Sequence, residues 1–321
     1  MSLIAPSDVA NGAAPRVLIT GGAGFIGSHL VDRLLAKGYR VRVLDNLSTG
    51  KTTNLPLDNA NLELVVGDVA DAAQVRHALQ GCSAVTHLAA VASVQASVDD
   101  PAGTHQSNLV GTLNLCQAMA EQGVKRVVFA SSAAVYGNNG EGTAIDEDTA
   151  KSPLTPYAAD KLASEYYLDF YRRQHGLEPV VLRFFNIFGP RQDPSSPYSG
   201  VISIFSQRAR QRLPISLFGD GEQTRDFVYV GDLVQVLERA LTSIAPGSEP
   251  INVGLGRSIS LNGLIEALGS IAGQALDVTY QDARLGDIRH SRANNARLLE
   301  KQWLPTPTDI KAGLSRLLES L

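Results

Sequence analysis

The segment Thr20-Gly21-Gly22-Ala23-Gly24-Phe25-Ile26-Gly27 follows a short apolar run and leads into an amphipathic stretch. Its glycines permit a tight turn and let the backbone approach a pyrophosphate, which the unpaired N–H groups of a helix N-terminus can bind. A glycine triplet alone is equally compatible with a purely structural strand-to-helix turn. Because both the strand and the helix that the motif requires are indicated here, the segment predicts a dinucleotide-binding βαβ unit.

Short apolar runs alternate with longer amphipathic segments on both sides of this loop. The strands are predicted at residues 17–20, 41–44, 62–66, 84–88, 126–130 and 180–183. The helices between them are predicted at residues 26–37, 72–79, 109–122 and 157–173. This alternation is typical of βαβ units and of a parallel sheet with helices on both faces. We therefore predict an α/β fold with a doubly wound, mostly parallel Rossmann sheet and a smaller C-terminal α/β substrate domain.

The regular alternation weakens after about residue 186, where loops rich in Pro, Ser and Gly separate smaller elements. An apolar run at 227–230, followed by a helical pattern at 232–241, is predicted to return to the first domain. The predicted organisation is a flexible N-terminal tail at 1–14, a dinucleotide-binding domain at 15–185 plus about 224–256, and a substrate domain at 186–223 plus about 257–321.

Composition excludes several classes of protein. The chain has 28 basic and 32 acidic residues, and no basic cluster indicates a nucleic-acid partner. Its two cysteines, Cys82 and Cys116, lack the spacing of a metal site or disulfide framework, so we expect reduced thiols and no metal. The start of the chain does not resemble a signal peptide and no apolar run is long enough to span a bilayer, so we expect a cytoplasmic protein without membrane contact.

An acidic residue, Asp45, closes the second predicted strand, where its carboxylate can accept hydrogen bonds from ribose hydroxyls and would repel a 2′-phosphate. The sequence therefore favours NAD over NADP. Arg42 argues the other way, because a nearby guanidinium can hold a 2′-phosphate. Asp68, after the third strand, is compatible with a bond to the adenine amino group or with a helix cap.

The segment Tyr157-Ala158-Ala159-Asp160-Lys161 begins a predicted helix. Residues four apart share a helix face, so the Lys161 ammonium can approach the Tyr157 phenol. Together with a positive nicotinamide ring, that cation is expected to lower the tyrosine pKa toward neutrality and make Tyr157 a base. Such a pair alone is more often structural, but its position downstream of a dinucleotide loop favours catalysis.

A hydroxyl-rich run, Ser131-Ser132, ends the fifth predicted strand. Ligands of doubly wound sheets bind outside the carboxyl ends of the strands, which predicts that both serines lie beside the nicotinamide and that Ser132 holds a reacting sugar oxygen. Two serines can also simply begin a loop.

Taken together, the glycine loop, Asp45, the two serines and the Tyr157–Lys161 pair resemble the extended short-chain dehydrogenase/reductase family. Further matching segments lie at 87–90, 182–186, 219–232 and 284–287. Within the family, the chain resembles nucleotide-sugar 4-epimerases. The resemblance implies a cycle in which Tyr157 takes the proton from sugar O4, Ser132 binds O4, hydride passes from C4 to NAD, and a 4-keto sugar turns over before the hydride returns.

The resemblance also implies two sets of binding residues. The NAD contacts are Gly21, Gly24, Phe25, Ile26, Asp45, Asn46, Ser48, Gly50, Asp68, Val69, Leu88, Ala89, Ala90, Ser131, Tyr157, Lys161 and Phe184. The substrate contacts are Ser93, Ser132, Tyr157, Asn186, Ser216, Leu217, Phe218, Arg225, Arg284 and Ser291. Among the latter, Asn186, Arg225 and Arg284 are implied to hold the diphosphate, and 216–218 to border a uracil.

Two comparisons within the family bear on the substrate. Ala133-Ala134 stands where dehydratases carry an Asp-Glu pair, which argues against dehydration. Ser291 stands where glucose-restricted epimerases carry a bulky Tyr, which leaves room for an acetamido group. We therefore expect interconversion of UDP-N-acetylglucosamine and UDP-N-acetylgalactosamine, with UDP-glucose/UDP-galactose as a second pair.

Alternatives remain open on sequence alone. A UDP-glucuronate 4-epimerase or decarboxylase would use Arg191 or Arg289 against the sugar carboxylate, and a non-catalytic NAD-binding sensor or scaffold would not need Tyr157 and Lys161. The family further suggests a homodimer through helices at 109–119 and 162–171, although burial in the core explains their apolar pattern equally well.

Overall fold

A computed structural model describes residues 14–139, 142–193, 200–243, 249–283, 289–304 and 306–321. The chain divides into two compact units. The first comprises Met1–Val135, Pro153–Arg183 and Val234–Pro250, and the second Tyr136–Ser152, Phe184–Leu233 and Ile251–Leu321.

The β-strands agree with every strand predicted in the first 185 residues. They are β1 (Arg16–Thr20), β2 (Arg40–Asp45), β3 (Leu62–Val66), β4 (Ala84–His87), β5 (Arg126–Ser132), β6 (Glu178–Phe184), β7 (Asn186–Phe188), β8 (Ile215–Phe218), β9 (Thr224–Arg225), β10 (Phe227–Tyr229), β11 (Ile251–Val253), β12 (Ile259–Ser260) and β13 (Val278–Gln281).

The α-helices likewise include each predicted helix. They are α1 (Phe25–Ala36), α2 (Ala72–Leu79), α3 (Val94–Asp99), α4 (Pro101–His105), α5 (Gly111–Gln122), α6 (Pro156–His175), α7 (Val201–Gln211), α8 (Val230–Thr242), α9 (Leu261–Ala272), α10 (Ala296–Glu300) and α11 (Ile310–Ser320). Among the described residues, no helix is both long and apolar enough to cross a membrane.

The first unit is built on a doubly wound sheet. Six of its strands follow one another in the order β6-β5-β4-β1-β2-β3, and β1 pairs in parallel with both β2 and β4. The chain thus winds outward from β1 in both directions. A crevice forms at such a reversal, outside the carboxyl ends of the strands, and this is where ligands bind in open α/β sheets. The predicted fold class is confirmed.

Apolar side chains from the strands and from α2, α5 and α6 form the core of the first unit. Leu18, Val85, Leu115 and Phe129 are at most 1% exposed. Both cysteines are free thiols, as expected, and Cys116 is buried in this core, where burial raises its pKa to about 12.

The helix predicted at 109–122 is longer and less regular than its sequence pattern indicated. A π-helical turn, Gln106–Val110, joins α4 to α5. Within this turn the Asn108 side chain is buried and exchanges hydrogen bonds with the backbone N–H and C=O of Val91, at 2.8 and 3.1 Å. The Thr112 hydroxyl donates to the Asn108 carbonyl at 2.6 Å. The turn therefore ties the helix to the loop that follows β4.

The second unit has its own apolar core between α7, α9 and α11 and the parallel strands β8 and β13. Ile215, Leu217, Leu264, Leu268 and Leu314 are fully buried there. This unit also includes residues 136–152, 184–185, 224–233 and 251–256, which the sequence analysis assigned to the first domain. The division falls inside α8. Which domain binds which ligand stays a prediction.

Candidate active site

The glycine loop has the shape of a phosphate cradle. Gly21 adopts a φ of 70°, and a Cβ there would lie 2.8 Å from the backbone nitrogen of Ala89. A Cβ on Gly27 would collide with the Gly21 carbonyl. The N-cap of α1, Gly24, provides no side-chain acceptor for the first-turn N–H groups. The loop therefore fits a pyrophosphate, which would accept hydrogen bonds from the N–H groups of Phe25 and Ile26.

Asp45 ends β2 against this loop. Its two carboxylate oxygens accept hydrogen bonds from the backbone N–H groups of Ala23 and Leu47, both at 2.9 Å. The carboxylate is thereby held beside the cradle, where the remaining lone pairs suit ribose hydroxyls. The loop that follows, which carries the predicted contacts Asn46, Ser48 and Gly50, folds back onto the glycine loop, because the N–H of Lys51 donates to the Ala23 carbonyl.

Arg42 does not favour NADP in this arrangement. Its guanidinium donates from Nη1 to the carbonyls of Ala78 and Gln80, at 2.8 and 2.6 Å, and its Nε lies 2.9 Å from the Glu63 carboxylate. These partners lie at the end of α2 and on β3. Arg42 is thus held by contacts of its own and is not free to accept a 2′-phosphate, so the interpretation that it supports NADP was wrong.

Asp68 is not a helix cap, which corrects the second interpretation offered for it. The N-cap of α2 is Asp71, whose carboxylate accepts from the N–H groups of Ala73 and Gln74. Asp68 instead accepts from the N–H of Ala70 at 2.8 Å and from the side-chain amide of Asn46 at 2.9 Å. It is therefore linked to the loop after β2 and stays a candidate adenine contact.

The candidate catalytic residues come together where α6 meets the carboxyl end of β5. The Ser132 hydroxyl interacts with the Tyr157 phenol and lowers its pKa. Lys161, one turn further along α6, donates from Nζ to the Ala130 carbonyl at 2.7 Å. Its ammonium lies 4.9 Å from the centre of the Phe129 ring and 5.9 Å from that of Tyr157. The two serines thus do more than begin a loop.

Burial shifts the pKa values of this group in a direction that the sequence did not suggest. Burial raises the pKa of Tyr157, and the hydrogen bond from Ser132 lowers it in part. Burial also lowers the pKa of Lys161 to about 8, while the charges of Asp160 and Glu165 raise it. In the protein alone, desolvation penalises the phenolate more than the neighbouring groups stabilise it. The lowered tyrosine pKa, expected with the positive nicotinamide ring present, stays a prediction.

A buried histidine, which the sequence analysis assigned no role, supports the loop after β4. The Thr20 hydroxyl accepts from the N–H groups of Leu88 and Ala89, at 3.2 and 3.1 Å, so its own proton is directed to His87 Nδ1, 2.7 Å away. The Nε2–H of His87 then faces the Thr112 hydroxyl at 3.1 Å. Burial lowers the His87 pKa to about 3, so the ring is neutral. These hydrogen bonds orient the backbone of Leu88 and Ala89, two of the predicted NAD contacts.

Two more predicted contacts have structural partners of their own. The Ser93 hydroxyl caps α3 by accepting from the Ala96 N–H at 3.0 Å. Ser131 donates to Glu165 at 2.5 Å. Val69 follows β3, and Phe184 ends β6 and belongs to the second unit.

The predicted substrate contacts of the second unit that the structure describes lie on its short strands or next to them. Asn186 donates to the Asp226 carbonyl from its backbone N–H, at 3.1 Å, and from its side chain, at 3.3 Å. Arg225 ends β9, and the Ser291 N–H donates to the carbonyl of Thr224 at 3.1 Å. Residues 216–218 belong to β8. Arg284 lies outside the described residues.

Asp226 links the backbone segments beside these predicted substrate contacts. Its buried carboxylate accepts hydrogen bonds from the N–H groups of Leu255, Gly256 and Ala293, at 2.9 to 3.1 Å. Burial raises its pKa. Asp226 lies in the matching segment 219–232, to which the sequence analysis gave no such role, and only its position between Arg225 and a buried strand could have pointed to one.

With this geometry in hand, comparison with known proteins defines the class. The model of the NAD dependent epimerase/dehydratase family matches residues 17–254, and the chain belongs to that family. The UDP-glucose 4-epimerase of Mycolicibacterium smegmatis is 39% identical over 95% of this chain and 97% of its own length. The UDP-glucuronate 4-epimerase of Thermodesulfobacterium geofontis is 33% identical over 93% and 94%.

Comparison with solved structures supports the same family assignment. The UDP-N-acetylglucosamine 4-epimerase of Methanobrevibacter ruminantium, in complex with UDP-N-acetylmuramic acid, superposes with a TM-score of 0.90 at 38% identity and covers 95% of this chain and 97% of its own. The UDP-glucose 4-epimerase of Thermus thermophilus, in complex with NAD, gives 0.87 at 39%, covering 95% and 98%. The predicted family, enzyme class and NAD cofactor are confirmed, whereas the sugar differs among these relatives.

Proposed function

We propose that the protein interconverts the C4 epimers of a UDP-sugar, with UDP-N-acetylglucosamine and UDP-N-acetylgalactosamine as the preferred pair and UDP-glucose/UDP-galactose as a second pair. The observation that carries the reaction is the contact of Ser132, Tyr157 and Lys161 at the end of β5, beside a cradle that suits a dinucleotide. The small side chain of Ser291 carries the preference for the N-acetylated sugar.

In the proposed mechanism Ser132 binds sugar O4 and Tyr157 removes its proton. The Ser132 hydroxyl interacts with the phenol, so that it can help to pass the O4 proton to Tyr157, and the Lys161 ammonium stabilises the developing phenolate. When bound, NAD would supply the acceptor for the hydride of sugar C4 and the donor that returns it to the opposite face of the 4-keto sugar. Tyr157 then gives the proton back to O4. Because hydride and proton both return, the cycle needs no external oxidant.

Arg289 offers little support for a glucuronate substrate. Its guanidinium forms a bidentate pair with Asp220, at 2.7 and 3.0 Å, on the rim of the second unit. Binding a sugar carboxylate would require Arg289 to give up that partner.

Incubation with UDP-glucose, UDP-N-acetylglucosamine and UDP-glucuronate, followed by proton NMR, tests the substrate. We expect turnover of the N-acetylated sugar at the highest kcat/KM and slower turnover of UDP-glucose. Ser291→Tyr is expected to lower kcat/KM for the N-acetylated sugar by roughly tenfold or more and to spare UDP-glucose, since it fills the space for the acetamido group. Turnover of UDP-glucuronate alone would refute the proposal.

We also infer a homodimer in the cytoplasm. On the described part of α6, Tyr166, Tyr167 and Phe170 are 67%, 42% and 46% exposed, and on α3 Val94 and Val98 are about half exposed. Contiguous exposed aromatic and aliphatic side chains favour association with a second copy. The apolar side chains of α5 are mostly buried in the core, so α3 is a better partner for α6 in this surface than the predicted 109–119. Free, buried cysteines accord with a reducing compartment.

A further inference from the structure

Three consecutive residues at the end of β5 interact with three residues of one face of α6. Ala130 accepts a hydrogen bond from Lys161, Ser131 donates one to Glu165, and the Ser132 hydroxyl interacts with the Tyr157 phenol and lowers its pKa. The α6 residues are spaced four apart, so they stack along a single helix face. Two of these contacts belong to the proposed catalytic group. The third, through Glu165, has no role in the mechanism above.

Glu165 is a buried carboxylate with a complete set of partners. Its Oε1 accepts from the Ser131 hydroxyl at 2.5 Å and from Arg183 Nε at 2.9 Å, and its Oε2 accepts from Arg183 Nη2 at 2.6 Å. The side chains of Glu165 and Arg183 are 8% and 3% exposed. A bidentate pair fixes the carboxylate in one orientation. Because desolvation offsets most of the attraction in a buried pair, such a pair adds little net stability.

We propose that Glu165, oriented by Arg183, is a positioning residue of the active site: it anchors Ser131, and with it the neighbouring Ser132, and it places a carboxylate one helical turn from Lys161 on the same face of α6. This inference rests on the proposed roles of Ser132, Tyr157 and Lys161. Glu165 itself touches none of the reacting atoms. It acts on Ser132 through the end of β5, and on Lys161 through its negative charge.

The charges around Lys161 make this contribution measurable. Asp160 and Glu165 face it from α6, and both raise its pKa against the effect of burial. Asp160 also pairs with His105 of α4 at 2.9 Å. From β4 comes His87, which is neutral, and the Tyr157 phenol and the Phe129 ring complete the surroundings. Removing the charge of Glu165 leaves Asp160 as the only carboxylate among these neighbours, and it takes away the bidentate partner of Arg183.

The test compares Glu165→Gln with Glu178→Gln. Glu178 pairs with Arg126 at 3.0 Å at the other ends of β5 and β6, so it controls for the loss of a glutamate–arginine pair that involves a strand of this sheet. In protein labelled with 13C at lysine Cε, with Lys161→Met assigning the signal, we expect Glu165→Gln to lower the Lys161 pKa by roughly one unit. Glu178→Gln should leave it unchanged.

The same variants are assayed for epimerisation of UDP-galactose and UDP-N-acetylgalactosamine across pH. The alkaline limb of the kcat/KM profile should move to lower pH in Glu165→Gln by about the shift seen in the lysine titration, and stay in place in Glu178→Gln. An unshifted Lys161 titration in Glu165→Gln, or an equal shift in Glu178→Gln, overturns the inference.

Two further outcomes are distinguishable. If Glu165→Gln does not fold, the double variant Glu165→Gln/Arg183→Met removes both buried charges, and it should fold and still lower the Lys161 pKa. If the wild-type protein turns over neither sugar, the proposed reaction fails, but the lysine titration still decides the role of Glu165.

Discussion

Tyr157 shows how a single residue can be recognised from sequence while its chemistry depends on its surroundings. Its spacing from Lys161 predicted that the two side chains lie on one helix face, and they do. Burial nevertheless raises the pKa of the phenol in the protein alone. In the proposed mechanism, the interaction with Ser132 and the positive charge of bound NAD are therefore needed, in addition to Lys161, to stabilise the Tyr157 phenolate.

Removing the Tyr157 hydroxyl tests its role as the catalytic base. Tyr157→Phe should lower epimerase kcat by roughly 100-fold or more while leaving bound NAD unchanged, because only the proton acceptor is removed and the ring remains. Tyr167→Phe, the same change on an exposed residue of α6, should have no effect on kcat. Unchanged turnover in Tyr157→Phe would show that the assignment of Tyr157 as the catalytic base is wrong.

Lys161 provides a prediction for stability. Its pKa is about 8 when folded and ordinarily about 10.5, so between these pH values the unfolded chain binds the proton and the folded protein does not. The free energy of unfolding of the wild type should therefore rise, relative to Lys161→Met, by up to about 3 kcal/mol as pH increases through this window. Urea unfolding at pH 7, 8, 9 and 10 measures the difference. The difference in unfolding free energy between the wild type and Lys161→Gln should rise with pH in the same way. A difference that falls as pH rises would contradict the lowered pKa of Lys161.

At the scale of elements, the strand-to-helix junctions depend on close backbone approach. β1 runs into the glycine loop and α1, and the loop after β4 lies against Gly21. The junction between β3 and α2 is capped by Asp71, and the end of α2 is held by Arg42. These contacts place the carboxyl ends of β1, β2 and β4 around one candidate NAD site.

Replacing a loop glycine by alanine adds a methyl group and so tests how closely the backbone segments approach one another. Gly27→Ala should abolish detectable NAD binding and lower the melting temperature, because its Cβ would collide with the carbonyl of Gly21. Gly38→Ala is the control: Gly38 has a φ of 83° and no atom near a Cβ, so the change should cost roughly 1 kcal/mol of stability and leave NAD content unaltered. Equal NAD content in both variants would show that the loop is not the cradle.

For the whole molecule, the proposed cycle returns its hydride and does not need to release the cofactor. We therefore expect NAD to copurify with the protein, and heat denaturation should release it into the supernatant for enzymatic assay. A supernatant without NAD or NADH would favour an exchanging dehydrogenase.

The exposed face of α3 and α6 leads to the last prediction. Light scattering after size exclusion should give twice the chain mass of 34.1 kDa for the wild type, and a monomer for Tyr166→Lys/Phe170→Lys, since two charges would be buried at the contact. Leu57→Lys, a substitution at another exposed apolar residue, should leave the dimer intact. A wild-type monomer would refute the proposed association.

Local patterns were sufficient for much of this protein. The strands of the first unit, the glycine loop and the pairing of Tyr157 with Lys161 could be predicted because they depend on periodicity, on glycine geometry and on spacing within one helix. The partners of Arg42, the anchoring of Ser131 by Glu165 and Arg183, and the hydrogen-bonded chain through His87 could not. Each joins residues far apart in the chain, and the pKa values of buried groups depend on the desolvation and charges that such packing creates.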